Sequence, residues 1–142
     1  MIAYREEIFH PGLLTPVIAT GLLREARNGW LVREQTTPVV ETTRLGETFL
    51  SVEGAAGPNL LPIPDSLRPT ITAMRALVRG DTLALRKAFA LELSDAPEGW
   101  RLDLTQPGAD RLAILGCGDV VRAFEIAPVE GARRVLHFGD AG

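Results

Sequence analysis

Along most of the chain apolar and polar residues alternate with a period of two, in short runs separated by turn residues, which is the pattern of antiparallel β-structure. The clearest case is late. Phe89, Leu91 and Leu93 alternate with Ala90, Glu92 and Ser94; after a turn over residues 95–99, Trp100, Leu102 and Leu104 alternate with Arg101, Asp103 and Thr105. Both arms therefore present one dry and one wet face. Residues 2–9 read as a first strand. Residues 17–25 lead through Asn28-Gly29 into residues 30–34, and Asn-Gly between two such runs predicts a tight hairpin. Residues 39–44 and 47–52 flank Leu45-Gly46 as another hairpin, with Pro38 marking where a strand begins, and residues 120–127 and 133–138 form a last one. The expected fold is about nine antiparallel strands in nearest-neighbour connections, forming one sheet curved around an apolar interior.

The middle of the chain departs from this. Gly57-Pro58-Asn59 and Pro62-Ile63-Pro64-Asp65 break the β pattern, and a helical one begins after Pro69. Ile71, Met74, Leu77 and Val78 fall on one stripe, Gly80 is placed to end the helix, and Asp81 to cap a second one carrying Leu83, Leu85 and Phe89. Helices this short need an apolar surface to lie on, and the concave sheet face supplies it. Residues 69–89 are therefore expected to cover that face as a lid. Two outcomes stay open: an apolar cavity that takes a hydrophobic ligand, or side chains that pack fully against one another.

With 142 residues, one domain spanning residues 1–142 is the economical organisation, and 46% hydrophobic with 23% charged residues places the chain among folded globular proteins. The net charge of -3 supplies no basic field for phosphate backbones, which argues against nucleic acid as a partner. Cys117 is the sole cysteine, expected as an inert core residue, so no thiolate metal site is expected. His10 and His137 stand at opposite ends of the sequence, and the chain has no HExxH, GxSxG, P-loop or GxGxxG motif. Gly116-Cys117-Gly118-Asp119 reads as a plain turn. Catalytic residues, metal ligands and cofactors are each expected to be none. A carboxylate enzyme using Glu6 with Glu7, or Asp103 with Asp110, requires a fold that brings the pair together.

Taken together, Tyr4-Arg5-Glu6-Glu7, Leu13 through Leu23 with its Gly21-x-Leu23 ending, Trp30-Leu31-Val32 and Thr37-Pro38 resemble the N-terminal half of the LolA-like periplasmic outer-membrane lipoprotein carriers. Leu77 through Gly80-Asp81, Leu85, Phe89-x-Leu91-x-Leu93, Trp100-x-Leu102-x-Leu104, Gly118-x-Val120-Val121 and Phe124-Glu125-Ile126 resemble the later half, especially its divergent LolA-related branch. The resemblance implies a half-barrel lidded by helices, located in the periplasm, whose cavity takes lipoprotein acyl chains or another lipid, with membrane-associated donor and acceptor proteins as partners. The family begins with a signal peptide and a helix ahead of its first strand; residues 2–9 read as that first strand, so neither element is expected within residues 1–142. On this basis ligand contacts are expected from Trp30, Val32, Phe49, Leu91, Leu93, Trp100, Leu102 and Phe124 and from lid residues Met74, Leu77 and Val78, with Arg27 as the lid latch. A protein-binding module without lipid is the first alternative, and a small hydrolase or isomerase the second.

Overall fold

A computed structural model describes residues 1–139. Eleven strands, β1 (Ile2–Phe9), β2 (Val17–Glu25), β3 (Leu31–Thr37), β4 (Glu41–Leu45), β5 (Phe49–Gly54), β6 (Gly57–Pro62), β7 (Ala90–Ala96), β8 (Gly99–Thr105), β9 (Arg111–Cys117), β10 (Val120–Ala127) and β11 (Arg133–Phe138), form one sheet. Its order is β6-β5-β4-β3-β2-β1-β11-β10-β9-β8-β7, antiparallel throughout. Hairpins build each half. The halves join where β1 pairs with β11, and the helices α1 (Arg68–Arg79) and α2 (Thr82–Ala88) carry the chain from one free edge, β6, to the other, β7. Nearest-neighbour connection therefore fails at these two places, and both are what close an open meander into a curled sheet.

The two strands beyond the expected nine have physical reasons for being hard to read. In β6, Pro58 and Pro62 look like breakers, but an edge strand has one side without a partner, where a missing N–H costs nothing. In β9, Leu112, Ala113 and Ile114 are all buried, so the run is continuously apolar and does not alternate.

Apolar residues from β1 to β5 and β8 to β11 form one cluster with α1 and α2, so the helix-bearing face is the concave one. Pro69 lies in the first turn of α1 and Gly80 ends it with φ 68°, while the Asp81 carboxylate accepts the Ala84 N–H at 3.0 Å to start α2. Ile71 and Met74 are buried and Leu77 and Val78 pack beside them; Ala73 and Ala76, also buried, let the α1 backbone approach the sheet.

Candidate functional site

Register decides which strand residues share the helix side. Leu91 opposes Leu104, Leu93 opposes Leu102 and Trp100 opposes Gly116, so Leu91, Leu93, Trp100 and Leu102 lie on the concave face, as does Phe124 opposite Ile114. Phe124 is completely buried in the core, whereas Leu93, on the free edge strand, is 70% exposed beside half-buried Leu91 and Leu102. The lid residues Met74, Leu77 and Val78 meet the same cluster. Trp30, Val32 and Phe49 do not join it. Val32 pairs with Arg44 and Phe49 with Pro62, one residue out of phase with the inward pairs Leu31–Leu45 and Leu50–Leu61, which places them on the convex face.

Both tryptophans lie over a glycine of the neighbouring strand or turn. A β-carbon on Gly46 would stand 2.7 Å from the Trp30 ring, and one on Gly116 would stand 2.2 Å from that of Trp100. Each glycine thus clears the space its indole covers, and the Trp100 ring N–H donates to the Gly118 carbonyl at 2.9 Å.

A polar cluster interrupts the concave apolar surface. Glu6 is only 1% exposed; its carboxylate accepts from the Arg33 guanidinium at 2.5 Å and lies 3.6 Å from that of Arg134. The same Arg33 donates through Nε to the Tyr4 hydroxyl at 2.8 Å. Gly21 makes this possible, because a β-carbon there would meet the Tyr4 hydroxyl at 2.6 Å. Burial pushes the Tyr4 phenol above its ordinary range. Burial alone would lower Arg33, but the Glu6 carboxylate and Tyr4 outweigh it and hold the guanidinium above its usual value. No motif marks this cluster in the sequence; the one clue is a carboxylate at an inward position of a strand.

Polar ties fasten the helices to the sheet. Arg75 donates to the carbonyls of Leu45 and Gly46 at 3.1 and 3.3 Å, Arg79 donates to Glu25 at 2.5 Å, and Gln106 donates to the Ala88 carbonyl at 3.0 Å. The Arg75 Nε–H is buried without a partner, so this anchor is incompletely satisfied. A pocket of about 200 Å³ opens at that seam, between Arg68, Ile71, Thr72 and Arg75 of α1 and Gly46 and Ile63. Arg27 stands exposed in the β2–β3 turn; among the described residues the side-chain hydrogen bonds from α1 to the sheet come from Arg75 and Arg79.

The convex face carries a groove of about 1010 Å³, floored by Leu115, Ala123 and Val135 and walled by Arg5, His137 and the β7–β8 turn. His137 meets Glu7 there at 2.5 Å. Glu6 and Glu7, being adjacent in a strand, point to opposite faces and do not converge as an acid–base pair. Asp103 accepts from Arg101 at 3.1 Å. Cys117 is exposed at the end of β9, which corrects the expectation of a core thiol: the β9–β10 turn that follows it leaves the strand end uncovered. Among the described residues no group of three His, Cys, Asp or Glu side chains is placed to hold a metal ion, and no helix is long and apolar enough to cross a membrane.

No curated protein matches this sequence. Residues 10–141 match the family model described as "Outer membrane lipoprotein carrier protein LolA-like".

Proposed function

We infer the function from one premise: the chain belongs to the family of LolA-like outer membrane lipoprotein carriers. It acts as a periplasmic carrier or binding protein for lipoprotein acyl chains or a similar lipid, held against the concave face under α1 and α2. The observation that carries this reading is the exposure of Leu93. It stands on the concave face at the rim of the helix cover, 70% exposed, next to half-buried Leu91 and Leu102. An acyl chain laid along these residues and continuing under α1 and α2 would take this apolar surface out of water.

Burial supplies the affinity, since each acyl methylene removed from water contributes about 0.8 kcal/mol. No covalent chemistry is needed, and no enzymatic role is proposed. The helices move aside at the cost of a few polar ties and the contacts of Ile71, Met74, Leu77 and Val78, and close again once the chain is seated. Loading and release would occur against membrane-associated donor and acceptor proteins. Trp100, Leu102 and Phe124 would line the concave side, and the whole of residues 1–142 would act as one lipid-binding domain.

Native mass spectrometry of freshly purified protein and displacement of an environment-sensitive fatty-acid probe test this directly. The expected result is a co-purifying lipid mass or saturable probe binding that added fatty acid reverses. Protein free of lipid that also gives no saturable probe signal would overturn it and leave a protein-binding module as the better reading.

A further inference from the structure

One end of the sheet carries apolar residues that the half-barrel does not use. The β1–β2 turn and the β3–β4 turn lie at the same end because β2 runs antiparallel to both β1 and β3. From them Leu13, Leu14, Val39 and Val40 project into solvent, Leu14 completely so, and Val17 and Ile18 add further exposed aliphatic surface. Val17 and Ile18 still pair with β1 but extend past Thr20–Thr37, the last pair between β2 and β3, so the β3–β4 turn stands beside them. Both turns are held by hydrogen bonds: the Leu13 N–H donates to the His10 carbonyl at 3.2 Å, and the Gln35 amide to the Val39 carbonyl at 2.9 Å.

We propose that this end is a membrane-docking tip whose aliphatic side chains insert into the surface of a lipid bilayer. Three observations select a bilayer as the occupant. Residues 11–23 and 36–40 contain no Asp, Glu, Lys or Arg, so insertion desolvates no charge. The large side chains that project from residues 11–18 and 36–40 are all aliphatic, and no Trp, Tyr or Arg stands among them as in the anchors of protein interfaces. On the adjoining strand stand Arg133, its guanidinium 4.3 Å from the centre of the Phe9 ring and 4.0 Å from Glu125, and Arg134, 3.6 Å from Glu6; both keep over two fifths of their side chains exposed, at the level of lipid phosphates once the tip is inserted. Glu41 at the start of β4 and Glu130 in the β10–β11 turn, which the Phe9–Arg133 pairing brings to the same end, flank the tip on its two sides.

The tip lies outside the helix-covered concave face, and insertion needs no ligand there. It therefore stands or falls separately from the lipid-holding reading, and the two share only the consequence that cargo would be exchanged at a membrane surface.

Flotation of the full chain with vesicles of phosphatidylethanolamine and phosphatidylglycerol, and with phosphatidylcholine alone, tests the proposal. The wild-type chain should float with the vesicles, more strongly with the anionic mixture, and Leu13→Ser/Leu14→Ser and Val39→Ser/Val40→Ser should each weaken binding about tenfold. All four positions are exposed, so the variants keep their fold, which circular dichroism checks. An environment-sensitive dye on Leu14→Cys in a Cys117→Ser background should shift to the blue on vesicle addition, and the same dye on exposed Arg86→Cys should not. Absence of flotation for the wild type, equal flotation of the serine variants, or a dimer by light scattering that the serine variants abolish would each overturn the proposal, the last by assigning the tip to a second copy of the chain.

Discussion

Replacing Glu6 by Gln keeps the side-chain shape and removes its charge at the most buried ionic position of the concave face. Arg33, 2.5 Å away with a fifth of its side chain exposed, then loses its buried counter-ion, and Arg134 at 3.6 Å loses a partner that water replaces more readily, its side chain being 41% exposed. Removing one member of a buried pair costs about 3–5 kcal/mol. Because the Gln carbonyl can still accept from Arg33 and water reaches both arginines, about 2–3 kcal/mol is the better figure here. At about 4 °C per kcal/mol for a chain of this size, Glu6→Gln should lower Tm by about 10 °C. Arg33→Met should cost a similar amount, since it leaves the Glu6 charge buried. Combining the two should cost well under their sum, with a coupling of about 1 kcal/mol or more, because the double variant buries no lone charge. Thermal and urea unfolding followed by circular dichroism measure all three. A Tm drop below about 2 °C for Glu6→Gln, or strict additivity in the double variant, would refute the view that this cluster is a coupled, desolvated unit.

Leu93→Glu should abolish saturable fatty-acid probe binding while leaving Tm within about 2 °C of wild type, because the position is largely solvated in the ligand-free protein. Arg79→Leu should speed amide exchange in α1, measured by mass spectrometry, whereas Arg27→Leu should leave it unchanged, since Arg79 reaches Glu25 and Arg27 stays in its exposed turn. The Arg79 hydrogen bond holds the Glu25 carboxyl below the usual carboxylate range, so its contribution is present above the unfolded-state pKa of about 4.3 and is lost as pH falls through the lower folded value. Protection of the α1 amides, corrected for the intrinsic exchange rate at each pH, should therefore fall on acidification below that range, and Glu25→Gln should exchange faster already at neutral pH. Gly116→Ala should displace the Trp100 ring, since the new methyl would stand 2.2 Å from it, and shift tryptophan fluorescence toward that of a solvated indole.

Local patterning carried much of this protein. The alternation in residues 89–105, the Asn28-Gly29 turn, Gly80 as a helix stop and Asp81 as a cap all act within a few residues, so the sequence alone determined the hairpins, the helical interruption and the stripe of Ile71, Met74, Leu77 and Val78 that faces the sheet. It did not determine phase or edge. Whether Phe49 or Leu50 points inward depends on register against β4 and β6, and a shift of one residue exchanges the two faces; the same applies to Val32 beside Leu31. The tertiary structure also decided that β1 pairs with β11, partners separated by nearly the whole chain, and that pairing sets Glu6 opposite Leu136 with Arg134 at hand. That Glu6 is buried and Cys117 exposed follows from what the fold stacks above each residue: the Arg33 guanidinium, brought from β3 across Gly21, covers the first, and the turn after β9 leaves the second open. Contacts of that kind arise from chain closure, and spacing along the chain carries no record of them.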